Sequence, residues 1–322
     1  MKKNFSFCIV LFLFVAFESV GQQLPNYAQF TLNKLSINPA YGGSHLGMEI
    51  WAGKRNQWIG FENAPVQTFI SCTYSWRRHF NYKAVHSVGG YVEEDRVGLF
   101  TFKSAHAYYS YHLKISKSFK MGFGLFVGAK NVAASSMLNN LNDPAFNIPA
   151  NPVLYLGPDF VPGWRMYSKN MFIDIAVRNL YVNKLQQGSK KFGSPTRLLI
   201  QPTLIFGYRF HSPTNEFVFV PTIKLQGVYN QVPLTDINFI TYYRKRIGLG
   251  VTYRVNNTLA AMVQLRVKHN ITLGFAYEYS ISNMQNYFPH TTEAIFGFSP
   301  MMGTDAEIPS SYTVDMCPEF DY

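Results

Sequence analysis

From Ile271 to Ile281 the chain reads Ile-Thr-Leu-Gly-Phe-Ala-Tyr-Glu-Tyr-Ser-Ile, with odd positions large and apolar or aromatic and even positions small or polar. A side-chain period of two is the period of a strand. The same parity runs through 119–131, where Phe119, Met121, Phe123, Leu125, Val127 and Ala129 share one face and Lys120, Gly122, Gly124, Gly128 and Lys130 the other. It recurs at 171–178, 246–254 and 259–268, and more weakly at 46–52, 66–76, 84–93, 104–117, 158–167, 197–211, 215–228, 234–243 and 290–299. These segments predict about 14 strands, or 12 because boundaries read from sequence err by several residues, in an all-β fold. A single antiparallel β-barrel accounts for them: closure leaves no edge strand and satisfies every backbone group in lipid. An even strand number places both termini on the periplasmic side.

The joints fit an up-and-down barrel. Asn256-Asn257 and Arg244-Lys245 read as tight turns, whereas 133–157 and 179–196 are long, polar and rich in Pro, Gly or Asn. Short connections on one side and long ones on the other are the habit of such barrels.

The compartment is set by the first residues. Lys2 and Lys3, an apolar run from Phe5 to Phe17 and small residues at Ser19-Val20-Gly21 read as a cleaved signal over 1–21. Cys8 has no lipobox before it, and no later window is apolar enough for a membrane helix. Aromatic residues make up 16% and charged residues only 15% of the chain, which fits a lipid-facing exterior better than a water-facing one. The expected location is the bacterial outer membrane. The expected organisation is a barrel over 22–299 with an N-terminal periplasmic segment at 22–45, followed by an acidic periplasmic tail at 300–322. That tail reads either as an end without fixed structure or as a peptide ordered on a partner.

The formal charge is +11. Lys114, Lys120, Lys130, Arg178, Lys224, Arg246, Arg254, Arg266 and Lys268 fall on the small-residue face. Either they make the lumen or its rims electropositive, attracting anionic solute, lipopolysaccharide phosphate or an acidic segment, or they contact headgroups. Nucleic-acid binding does not suit an exported barrel.

The residues offer no catalytic constellation. H-E-x-x-H, G-x-S-x-G and a Walker loop are all missing, and Cys72 and Cys317 lack metal-ligand spacing, with a disulfide between them left open. The reading is therefore non-enzymatic, with no cofactor and no metal.

Two early blocks look like a signature. One runs Gln29-Phe30-Thr31-Leu32-Asn33-Lys34-Leu35-Ser36-Ile37-Asn38-Pro39-Ala40-Tyr41-Gly42-Gly43, the other Arg55-Asn56-Gln57-Trp58-Ile59-Gly60-Phe61-Glu62-Asn63-Ala64-Pro65. They resemble the N-P-A-Y-A-G and R-x-Q-W-x-G-F-x-x-A-P segments of the PorP/SprF family, and looser similarity continues to Gly297. Phe288 to Glu293 departs from the Gly-Ser-His-Glu-like turn of many members. The resemblance implies an outer-membrane component of type IX protein secretion and gliding motility. It would act with the translocon, with periplasmic ring lipoproteins, and with a secreted adhesin or a cargo C-terminal signal. Asn38, Pro39, Tyr41, Arg55, Gln57, Trp58 and Phe61 are the candidate partner-binding residues. Alternatively, these blocks plug or close the periplasmic mouth. A second reading is a diffusion channel or transporter for small anions or amphiphiles.

Overall fold

The computed structural model describes residues 26–78, 81–116, 118–134, 153–180, 186–187, 190–191, 199–214, 216–227, 232–267, 270–287 and 290–300. Fourteen strands form the wall: β1 Gly47–Asn56, β2 Val66–Arg78, β3 Asn81–Val97, β4 Phe100–Lys114, β5 Lys120–Ala134, β6 Val153–Tyr167 and β7 Met171–Arg178, then β8 Gln201–Tyr208, β9 Phe217–Gln226, β10 Leu234–Tyr243, β11 Ile247–Arg254, β12 Thr258–Val267, β13 Ile271–Ser280 and β14 His290–Phe298. Each pairs antiparallel with its neighbours in sequence, and β1 pairs with β14 from Ile50↔Phe298 to Asn56↔Thr292, which closes the barrel. Phe210–His211 continues β8 beyond Arg209 and pairs with β9. A small hairpin, Gln186–Gln187 with Lys190–Lys191, stands apart from the wall.

The alternation seen in the sequence is an inside–outside code. On β13, Phe275, Tyr277 and Tyr279 are exposed, while Ala276, Glu278 and Ser280 are buried. On β10, Ile237 and Phe239 point out while Asp236, Asn238 and Ile240 point in. Apolar residues thus face outward, the reverse of a water-soluble sandwich and the arrangement a hydrocarbon solvent demands. No helix among the described residues is long and apolar enough to cross a membrane.

One mouth carries 79–80, 115–119, 168–170, 244–246 and 268–270; the other carries the longest connections, 135–152 and 179–200, with 57–65 and 281–289, together with the short turns 98–99 and 255–257. They are called here the turn end and the loop end. At the turn end Arg244 and Lys245 both take positive φ, 43° and 56°, as a two-residue hairpin turn requires. The loop end is uneven. β5 and β6 pair out to Ala133↔Val153, inside the stretch expected to be loop, whereas β6 and β7 part above Gly163↔Ala176. Pro158 and Pro162 lie in unbroken register with β5, so their edges lacking an N–H face the β7 side and end that ladder.

One expectation is corrected. The segment expected at 22–45 as a periplasmic extension is, over 26–45, packed inside the barrel, because its polar and apolar groups are matched by the lumen wall. Strand parity does bring the start of β1 and the end of β14 to one end, the turn end. The chain before β1, however, runs back through the lumen, so Asn26 lies near the loop end. The signal at 1–21 and the tail from 301 onward lie outside the described residues, as do Lys268 and Cys317; Cys72 is exposed on the outer face.

Placing a charge on the lipid face tests this code. Phe275→Arg, at mid-strand on β13, is expected to lower unfolding free energy by about 2–4 kcal/mol, measured by denaturant titration in vesicles.

Candidate functional site

The N-terminal segment forms the core of the barrel. A 14-stranded wall encloses more than its own side chains can fill, and residues 26–45 take up the remainder. Tyr27, Leu32 and Leu35 pack on Phe69, Tyr91, Tyr108, Phe126, Val161 and Ile295. Ala28 and Phe30 pack on the opposite wall, against Phe172, Ile205, Val218, Ile240 and Met262. Each buried large side chain contributes roughly 1.5–3 kcal/mol. A one-turn helix, α1 Lys34–Ile37, leads into a 3₁₀ turn at Pro39–Tyr41, which the Asn38 side chain caps by accepting from the Ala40 N–H at 2.9 Å.

The wall is moulded to this segment. A side chain at Gly124 would collide with the Ala40 backbone, one at Gly163 with the Asn38 amide, and one at Gly274 with Gln29. Glycine weakens a strand interior unless something approaches closely, and here the plug does. Asn38 Nδ2 donates to the Trp164 carbonyl at 2.9 Å. The Gly42 carbonyl accepts from Ser110 Oγ and lies 2.7 Å from His112 Nε2. The Arg165 guanidinium stacks 4.5 Å from the Tyr41 ring centroid. A cavity left between plug and wall at Phe30, Lys34, Tyr41 and Phe172 measures ≈ 10 Å³, about the room of one water.

Toward the loop end a buried charge network holds the plug's first described residues. Arg55 Nε donates to Glu278 at 2.9 Å; Arg254 bridges Glu278 and Asp236; Lys224 pairs with Asp236 at 2.8 Å. From this network Lys224 donates to the Asn26 side chain and Arg254 to its carbonyl, while the Glu293 carboxylate accepts from the Ala28 and Gln29 N–H groups at 2.8 and 3.1 Å. Across the lumen Arg178 pairs with Glu93 and donates to the Ser36 carbonyl, and Asp159 is engaged by Lys130 and His106. An electropositive interior is therefore corrected. Among the described residues seven Lys and Arg are buried against eight Asp and Glu, so carboxylates match the lumen cations.

The seven candidate residues separate into two groups. Asn38, Pro39 and Tyr41 belong to the plug near the turn end. Arg55 is the last inward residue of β1 rather than part of a loop, and donates to Gln57 at 2.8 Å. Trp58 and Phe61 lie in the 57–65 loop at the loop end, the opposite mouth from Asn38, Pro39 and Tyr41. That loop is well tied: Gln57 N–H donates to Pro65 O, Ile59 N–H to His290 O, and Gly98 N–H to Asn63 O. Trp58, Gly60 and Asn63 take positive φ, and Ile59 and Phe61 are each 47% exposed. Glu278, Glu293, Asp236 and the three wall glycines were not singled out from sequence. Parity alone places Glu278 inside, on the face of Gly274, and that signal was available.

These two blocks, one a plug and one a lumen arginine leading into a tethered loop, are features a family would share. Residues 19–298 match the family described as "Type IX secretion system membrane protein PorP/SprF". The chain belongs to the PorP/SprF family. No curated protein matches it. Among solved structures it is similar to the Ralstonia pickettii toluene transporter TbuX, at 11% identity and TM-score 0.49 over 82% of this chain and 92% of that one. It is also similar to the CymD monoaromatic hydrocarbon channel, at 10% and 0.46 over 87% and 94%, and to the Acinetobacter baumannii outer membrane protein Omp33, at 7% and 0.45 over 80% and 99%. As a PorP/SprF membrane protein with a closed barrel and an apolar exterior, the chain resides in the bacterial outer membrane and is a component of type IX secretion.

Removing one side of the buried network leaves a charge without its partner. Arg55→Ala is expected to cost about 3–5 kcal/mol of stability. Phe61→Ala, on the exposed loop, is expected to change it by less than about 0.5 kcal/mol. Denaturant midpoints of the two variants check both values.

Proposed function

We propose that the protein is a non-enzymatic scaffold of the type IX machinery that engages a secretion partner or a secreted adhesin, and that it is not a solute channel. The observation that carries this reading is the filled lumen: residues 26–45 occupy it with hydrogen bonds, ion pairs and apolar contacts to the whole circumference. A channel needs an open or gated path, whereas a scaffold needs a rigid rim. In this reading the turn end faces the periplasm, where ring lipoproteins assemble, and the loop end faces outward, where cargo or its C-terminal signal and lipopolysaccharide are met.

The contact assigned to the loop end is the 57–65 loop. Ile59 and Phe61 stand exposed on a backbone pinned to β14 and to the β3–β4 turn, so little conformational entropy is lost when a partner covers them. Tyr287, 73% exposed at the same mouth, extends the apolar surface. A few aromatic anchors of this kind commonly carry most of an interface's energy.

Native purification with mass spectrometry of attached proteins tests this reading. Wild type should retain translocon, ring or adhesin components, and Trp58→Ala with Phe61→Ala should lose a loop-end partner while migrating as a folded barrel. Retention of every partner by the double variant sinks the assignment of the loop. Planar-bilayer recording separates the second reading. Wild type should be silent, and Gly124→Val, which expels the plug while adding a good strand former, should conduct. Steady conductance by wild type would make the protein a channel.

A further inference from the structure

The turn-end mouth is strongly basic, and the basic residues are arranged. Arg77 sits next to the end of β2, Lys114 ends β4, Lys120 begins β5, Arg246 directly precedes β11 and Arg266 sits next to the end of β12. In every case the residue has the parity of the inward face. Ser75, His112, Gly122, Gly248 and Gln264, each two positions further in, are buried in the lumen. Their outward neighbours at the same height are Trp76, Leu113, Met121, Ile247 and Val267, which belong to the lipid-facing surface. The cations therefore ring the vestibule and do not reach sideways to headgroups. Lys169, Arg244 and Lys245 add to it from the turns, and Lys114, Lys169, Arg244 and Arg246 are exposed. Among the described residues of this mouth the exposed carboxylate is Glu216, engaged by Arg244 at 2.7 Å. The floor of the vestibule is the plug at Asn38–Gly43, so an occupant lies across the mouth without entering the lumen.

An acidic chain begins at this same mouth. β14 ends at Phe298, and the Ser299 N–H donates to Asn270 O in the β12–β13 turn. The sequence that follows carries Asp305, Glu307, Asp315, Glu319 and Asp321, with no Lys, Arg or His from 301 to 322. Tethering holds such a segment at roughly millimolar effective concentration over a nearby site, and opposite charge strengthens the encounter.

We infer that the basic vestibule is the docking surface of the chain's own acidic C-terminal segment, 304–322. This does not depend on the loop-end contact or on which partner the secretion reading names.

The test uses purified protein in detergent, full-length and truncated after Gly303, with a fluorescent peptide of residues 304–322. By anisotropy the truncated protein should bind the peptide, and the full-length protein at least about tenfold more weakly, because the tethered copy competes. Binding should fall steeply with salt. In the truncated background Lys114→Gln with Arg246→Gln and Arg266→Gln should abolish it, while heat-modifiable gel mobility shows that the barrel stays folded. Lys114→Arg should retain binding, so loss of charge rather than of shape is what the triple variant reads. Equal binding to full-length and truncated protein, or no loss in the triple variant, overturns the proposal. Binding of polyglutamate without binding of the 304–322 peptide also overturns it and assigns the vestibule to a foreign acidic chain.

Discussion

Everything in this barrel depends on polar groups that face inward where there is no bulk water to receive them. A carboxylate or guanidinium without a partner in such a space costs several kcal/mol. The wall has two ways of meeting that demand. Within the sheet, neighbouring strands set opposite charges side by side, as with Arg254 and Asp236 on β11 and β10. Beyond the sheet, the N-terminal segment brings backbone N–H and C=O groups to charges the wall leaves over: Glu293 receives two N–H groups, and Arg254 and Arg178 find carbonyls at Asn26 and Ser36. The plug is thus a partner in a shared hydrogen-bond account, and neither it nor the wall is satisfied alone.

This mutual dependence explains why the fold is plain in the sequence while a plug is only one of two readings of the early blocks. A strand in lipid announces itself through period two, since each outward residue must be apolar; Phe275, Tyr277 and Tyr279 on β13 show the rule with little noise. Fourteen strands and their faces follow from it. The plug has no such solvent. Tyr27, Leu32 and Leu35 turn to one wall and Ala28 and Phe30 to the other, so its apolar residues follow neither 2.0 nor 3.6, and the segment reads as irregular. The sequence pattern ends β1 at 52 for a related reason: the alternation fades at Gly53, Lys54 and Arg55, although pairing continues to Asn56. The lumen charges were visible one by one, but their neutralisation is a property of register between strands that no single strand carries.

The two signature blocks can now be given physical meanings. The first encodes a seat. Asn38 caps its own turn, Pro39 fixes the backbone there, and Tyr41 lies against Arg165, while glycines on β5 and β6 clear the space. The second encodes a junction, in which Arg55 locks the end of β1 to β13 and hands the chain to a pinned loop through Gln57. Six of its residues before Pro65, from Trp58 to Asn63, lie beyond the lumen, so only its first part answers to the needs of the fold.

That division bears on where function resides. Residues that serve the plug are constrained from both sides, by wall and by segment, and any change there is read first as instability. The exposed part of the second block has no such duty. Ile59 and Phe61 stand half exposed, and the backbone beneath them adopts three positive φ values in six residues, which costs free energy wherever the residue is not glycine. A loop held at that cost, with apolar side chains turned to the outside, is better accounted for by what it meets than by what it supports. The turn-end vestibule carries charge instead of apolar surface, so the two mouths of a filled barrel differ in chemistry.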